Sequence, residues 1–426
     1  MKKVSLIAAA VASTLAAGTA FAAGTDVTTD GWEVHGYMSS NVRVVDGTTT
    51  DNEFGKPDYA SAGTSGKSTN QVEFTVKKHT EYENGVWADY VVRTEYGNGN
   101  SYAYSSSGSQ KKDDEAQFEV KEAFVELGGI LGEDTSVWGG QRFLNRSAGI
   151  LSGEFWKQSS GIGAGLQTKL AGHTAGVAYV LADPDAGKVA KLAKRETLKS
   201  LDLYFYGVDV GFGRLDFDAK YMTQENVKGQ KTFWNADRAE DGFGASITLN
   251  TSYYGLDGWS QSAIGYGKGV AANRGVNFGG WSGDFADDST GLFATTYGVL
   301  NIGTKFQLGT EATYFDNDNF YGQDNVKRVL VAARPSVKLN DNMRFEATAS
   351  VGVEELSNGA AWGRKDKNIY QMVEIALPIT ANSDYFGRPQ IKPYIAHYVT
   401  DEESKGGMGM ASDTETVFGV HTEIWF

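Results

Sequence analysis

From Thr416 to the C-terminal Phe426 the chain alternates with a period of two. Phe418, Val420, Thr422, Ile424 and Phe426 fall on one side, and Val417, Gly419, His421, Glu423 and Trp425 on the other. One side is apolar and the other polar, the pattern of a strand whose alternate residues meet lipid and an aqueous lumen. An edge strand of a soluble sandwich is the alternative reading of this stretch alone. The same alternation opens the chain over Trp32 to Val44, where Val34, Met38, Val42 and Val44 interleave with Glu33, His35, Tyr37, Ser39, Asn41 and Arg43. It returns over Arg214 to Tyr221 and, for twelve residues with charges on one face only, over Met343 to Glu354. Such long, strict alternation predicts a transmembrane antiparallel β-barrel.

Turn signals set the strand number. Short turns are predicted at Glu83-Asn84-Gly85, Leu131 to Asp134, Leu170 to His173, Gly211 to Gly213, Leu256-Asp257-Gly258, Leu300-Asn301, Leu339 to Asn342 and Asn382 to Arg388. They recur about every 40 residues, room for two tilted strands of about 10 residues and one long loop. Eight such turns, with the first strand closing on the last, give an all-β barrel of about 18 strands. The intervening connections are long, polar and Gly-rich: Asp46 to Thr69, Gly97 to Asp114, Pro184 to Ser200, Gln224 to Asp241 and Asp401 to Asp413. Short periplasmic turns and long extracellular loops are the bacterial outer-membrane arrangement. The third loop, Leu144 to Gly165, carries Glu154, Phe155 and Trp156 with little other charge, and is expected to fold inward, where its aromatics narrow the passage.

Composition sharpens this reading. Met-Lys-Lys, an apolar run from Val4 to about Gly18 and Ala20-Phe21-Ala22 have the layout of a secretory signal peptide, so residues 1–22 are expected to be removed and 23–426 to form the barrel. The apolar run is too short for a membrane helix, and nothing after it reaches about 18 apolar residues. With 53 Gly, 12% aromatics and only 6 Pro, no linker divides the remainder, which reads as one β domain. The mean hydropathy of -0.35 is compatible with a barrel, which shows lipid only every second residue. There is no cysteine, hence no disulfide and no thiolate metal site. The net charge of -14, or -16 once Lys2 and Lys3 leave with the signal, argues against a nucleic-acid partner. The five histidines have no metal-ligand spacing, and neither a nucleophile elbow nor a phosphate loop occurs, so no enzyme and no cofactor is expected.

Several short motifs carry a family resemblance. His35-Gly36-Tyr37, Lys121-Glu122-Ala123, Trp138 to Phe143 with Arg146, Ser160 to Leu166, Gly387-Arg388-Pro389 and Glu423-Ile424-Trp425 together resemble the maltoporins, sugar-specific outer-membrane porins. The resemblance spans the chain and is dense at the first strand, around strands four to six and in the last fifth. It implies a homotrimeric 18-stranded barrel in outer-membrane lipid, passing maltodextrins or other sugars passively along a track of aromatics. That track falls on Tyr37, Trp259, Phe386 and Trp425, with Phe155 at the constriction and Lys121, Arg146 and Glu73 as polar partners. Tyr102 or Tyr104 stands where the family inserts an aromatic into the neighbouring subunit's pore. The chemistry is consistent: a pyranose shows a C–H face that rings cover and a hydroxyl rim that charged and amide groups bond. This chain departs from the family at Ser39, which replaces an Arg, at Gln71, which replaces an aromatic, and at Phe155, which lacks the usual Tyr hydroxyl. The preferred sugar is therefore left open. A general diffusion porin, whose aromatics only pack or anchor, and a receptor acting through its long loops are the other two readings.

Overall fold

The computed structural model describes residues 27–50, 62–67, 70–97, 117–182, 191, 194–278, 284–320 and 325–426. The expected signal segment and the candidate aromatics Tyr102 and Tyr104 lie outside these residues. One closed antiparallel sheet of 18 long strands, with three short accessory segments, forms an up-and-down barrel. In chain order its strands are β1 (Val27–Val45), β2 (Asn70–Tyr82), β3 (Trp87–Gly97), β4 (Gln117–Gly128), β5 (Ser136–Ala148) and β6 (Phe155–Leu170). Then come β7 (His173–Ala182), β8 (Leu198–Asp209), β9 (Arg214–Gln224), β10 (Asp241–Tyr253), β11 (Leu256–Gly269) and β12 (Thr290–Ile302). The last six are β13 (Phe306–Asp318), β14 (Val326–Asn340), β15 (Met343–Leu356), β16 (Lys367–Ala376, continued by Ile379–Thr380), β17 (Gln390–Val399) and β18 (Thr414–Trp425). Each pairs with its chain neighbours. β1 closes the barrel on β18 in a register that sets Tyr37 opposite Trp425 and Asn41 opposite His421.

The alternation read from the sequence is the alternation of the wall. Val34, Met38, Val42, Phe418, Val420, Ile264, Val373 and Ile375 are exposed on the outer surface, whereas Ser39, Asn41, Arg43, His421 and Glu423 are buried on the inner one. In β15, Arg344, Glu346, Thr348, Ser350 and Glu354 all point inward. An apolar exterior around a polar interior inverts the soluble arrangement, and closure gives each strand a hydrogen-bonded neighbour on both sides, as a lipid-facing wall requires. No helix among the described residues is long and apolar enough to cross a membrane.

Two of the expected turns move. The chain reverses at Tyr254-Gly255, both with positive φ (48° and 91°), and β11 already begins at Leu256. A tight hairpin turn needs that left-handed pair of residues. The glycine of Asp257-Gly258, which reads as a turn, instead sits where the backbone of Val299 comes too close for a Cβ. Likewise the reversal expected at Leu300-Asn301 lies at residues 303–305, because β12 runs on to Ile302.

The third loop is less a loop than a hairpin bent off the wall. β5 and β6 lose regular register beyond Leu144, pairing Ser147 with Lys157 and Ala148 with Phe155, so the connection proper is only Gly149 to Glu154. This tip crosses to the opposite wall, where the β13 carboxylate of Glu311 accepts the Leu151 N–H (2.7 Å), the Ser152 N–H (3.2 Å) and the Ser152 hydroxyl. Trp156, 1% exposed, stacks on Phe293 of β12 at 5.9 Å and donates its indole N–H to the Tyr297 hydroxyl at 3.2 Å.

Candidate functional site: the aromatic and charged lumen

The lumen holds two groups of partly exposed rings. The first lies on the closing seam. Tyr37 and Trp425 are register partners, and the Tyr37 hydroxyl donates to Glu423 at 3.1 Å. Arg388, from the last periplasmic turn, lays its guanidinium on the Trp425 ring at 4.3 Å and donates its Nε–H to Glu423 at 2.7 Å. Trp425 keeps 43% of its surface exposed. On the other flank of Tyr37 stands Glu73, its partner on β2.

The second group is built by β11, β12 and the same periplasmic turn. Trp259 is on the inward parity of β11, its ring 6.2 Å from both Tyr297 and Phe386, while the Tyr297 hydroxyl donates to Gln261. Residues 381–389 fold up into the barrel because Tyr385 is buried and its N–H donates to Gln307 of β13 at 2.8 Å. This lifts Phe386 against Trp259. A one-residue slip would exchange Tyr385 and Phe386, yet in this geometry both lie within the lumen. Trp259 and Phe386 are 38% and 41% exposed, whereas the neighbouring Trp156 is sealed.

Three connections fold inward and narrow the passage. Phe155 stands at the base of the hairpin tip, and Arg146 is sandwiched between its ring (4.2 Å) and that of Phe143 (4.3 Å). Residues 270–278 of the loop after β11 fold in beside the hairpin. Arg274 binds the Glu154 carboxylate and donates to the Phe155 carbonyl at 3.0 Å, Asn277 donates to the same carbonyl at 3.3 Å, and Asn277-Phe278 pairs in parallel with Gln158-Ser159. Residues 62–67 of the first loop form a strap across the inner faces of β16 to β18 and β1. The Thr64 N–H donates to Glu374 (2.6 Å), Asn41 donates to the Thr64 carbonyl (2.8 Å) and Arg43 to the Ser65 carbonyl (2.7 Å).

The expected polar partners have distinct fates. Lys121 sits at a β-bulge opposite Arg93-Thr94, 1% exposed, with Glu119 at 2.6 Å and Glu95 at 3.6 Å, so its charge is consumed within the wall. Glu73 accepts from Arg93 (Nε, 2.7 Å) and from Gln71 (2.7 Å). Arg146 borders the constriction. Glu154 anchors the neighbouring loop, and Trp156 anchors the hairpin. Sequence reasoning gave no role to Arg388, Tyr297, Glu311, Arg274 or Lys67. Arg388 lies in a quoted motif, but its position on Trp425 depends on the inward fold of a turn. Lys67 sits in a polar loop with no period to orient it.

Comparison with known proteins agrees with this architecture. The LamB porin family profile matches residues 32–426. The maltoporin of a Vibrio cholerae El Tor strain is 25% identical over 452 aligned residues covering all of both chains, and maltoporin 1 of Klebsiella pneumoniae is 23% identical over 436, covering 99% of this chain and 98% of that one. Among solved structures, a variant of OccD1 (OprD) superposes with a TM-score of 0.50 at 9% identity, covering 95% of this chain and 97% of that one, a likeness of fold alone.

Proposed function

This chain belongs to the LamB porin family and is an outer-membrane channel of a Gram-negative bacterium rather than an enzyme, and we propose that it is a sugar-selective diffusion channel with maltodextrins the first class to test. The observation that carries this reading is the pairing of half-exposed rings with polar groups in the lumen: Tyr37 and Trp425 beside Arg388 and Glu423, and Trp259 and Phe386 beside Tyr297 and Gln261. A flat ring receives the C–H face of a pyranose, and an adjacent donor or acceptor receives its hydroxyls. Two such stations, both reached by the last periplasmic turn through Arg388 and Phe386, give several weak sites in place of one tight one. A channel needs binding that favours entry yet releases. In this reading Arg146 and Glu73 serve the hydroxyl rim near the constriction, and Lys121 sets the local field from within the wall.

Vectorial rates test this. Liposomes containing the purified protein should swell faster in maltose and maltotriose than in a non-sugar solute of equal size. Rates that follow size alone would make this a general diffusion porin. The reading includes a homotrimer and export by residues 1–22. Cross-linking that stops at three copies and a mature N-terminus at Ala23 are the expected results.

A further inference from the structure

Two walls of the lumen differ in how their charges are matched. On the side of β2 to β9, every one of these cations has one carboxylate or two: Arg93 with Glu73 and Glu122, Lys121 with Glu119 and Glu95, Arg142 with Glu126, Lys157 with Asp218, and Lys220 with Asp202. On the side of β14 to β18 the match fails. There Arg344 and Lys392 share Glu346, Lys392 reaches on to Glu374, and Arg388 takes Glu423. Among the described residues Arg334 forms no ion pair and donates to neutral groups, the Thr348 hydroxyl (2.7 Å) and the Ala62 carbonyl (3.3 Å), and the strap adds Lys67. Five cations thus face three carboxylates around the Trp425 station.

Lys67, partly buried in the strap, belongs to this surplus. Its carbonyl is held by Asn41 (3.5 Å) and by Arg43. Its ammonium reaches the hairpin tip, 3.1 Å from where a Cβ on Gly153 would lie, and forms no ion pair among the described residues. Burial pulls its pKa below the ordinary lysine range, Glu423 pulls it back, and the charges of Arg334, Lys392 and Arg388 push it down again. On the same hairpin Arg146, whose guanidinium lies on Phe155, also has no carboxylate partner among the described residues, and its Nε–H is unpaired. So Lys67 and Arg146, unlike Arg274 with its Glu154, lack ion-pair partners among the described residues, in a protein whose net charge is -14.

We propose that the preferred substrates are sugars bearing an anionic substituent, with Lys67 and Arg146 taking the anion at the constriction and Arg388 taking it at the Trp425 station while the rings take the pyranose face. This rests on the sugar-channel reading and adds to it the charge of the substrate. A carboxylate or phosphate on the sugar supplies the counter-charge the wall lacks, whereas a neutral sugar leaves the surplus to mobile ions.

The test is current block in a planar bilayer at about 0.1 M KCl, where charges more than about 10 Å apart are screened. The blockers are maltotriose, trigalacturonate and glucose 6-phosphate. An anionic sugar should half-block at a concentration about tenfold below maltotriose, the size of one partly screened charge interaction. Lys67→Gln should cut that ratio severalfold and shift the reversal potential in a KCl gradient towards cation preference, while Lys67→Arg should keep both. Advantage for the uronate alone assigns carboxylates, and advantage for the phosphate alone assigns sugar phosphates. Block by maltotriose with no advantage for either anion, or a ratio that Lys67→Gln leaves unchanged, overturns this inference and leaves the sugar channel standing. Absence of block by every sugar overturns both.

Discussion

Tyr37, Lys121 and Trp156 share an inward orientation and end in three different conditions. Tyr37 lines the passage with its hydroxyl on Glu423, Lys121 is consumed by two glutamates, and Trp156 is a sealed anchor between hairpin and wall. Alternation decides which face a side chain takes. What lies over it decides whether a solute can reach it. Replacing Trp156 by Ala removes a buried ring, a change that costs about 3–5 kcal/mol in a packed site. The cost falls on the hairpin contact with β12, so the expected outcome is higher and noisier single-channel conductance with the barrel's circular dichroism intact. Glu311→Ala should act in the same direction by stranding the N–H groups of Leu151 and Ser152, each worth about 1–3 kcal/mol when left unpaired. Tyr37, Trp259 and Trp425 could be given a face because they lie on strands, whereas Phe386 lies in a turn. Lys67 and the stacking of Arg388 were not legible, since both depend on connections that fold into the barrel, and local sequence does not encode that direction.

At the level of elements, strands were legible and reversals less so. Met343 to Glu354 reads as a strand and is one, because one charged face and one apolar face leave a single way to sit between lumen and lipid. Asp257-Gly258 reads as a turn and is not, because its glycine is required by the close approach of Val299, while an unremarked Tyr-Gly pair supplies the left-handed turn. The inward third loop was foreseen from its aromatics, but its form, an irregular continuation of β5 and β6, was not. The seam offers an element-scale test. Gly36 exchanges backbone hydrogen bonds with Phe426 (3.0 and 3.2 Å), and the Phe426 ring occupies the space a Cβ on Gly36 would need, edge-on to Phe74 at 6.3 Å. Gly36→Val should therefore displace the terminal ring. Overpacking of this kind costs about 1–3 kcal/mol. The expected result is a lower unfolding temperature of the barrel in detergent, with Gly36→Ala intermediate.

For the whole molecule, closure makes the barrel rigid and leaves selectivity to whatever is laid inside it. Here that is the first-loop strap, the third-loop hairpin, residues 270–278 and the last periplasmic turn, each fixed to the wall by buried hydrogen bonds or ion pairs. They leave exposed rings at two stations that share the last periplasmic turn, and cations at the constriction. The most direct measurement is ion current through the purified protein in a planar bilayer, titrated with maltotriose for the wild type, Tyr37→Ala and Trp425→Ala. The account predicts saturable block in the wild type and a half-blocking concentration raised by about tenfold or more in either variant, since a lost ring–sugar contact is worth about 1.4 kcal/mol. Current that maltotriose leaves unchanged, or block that both variants retain in full, would contradict it.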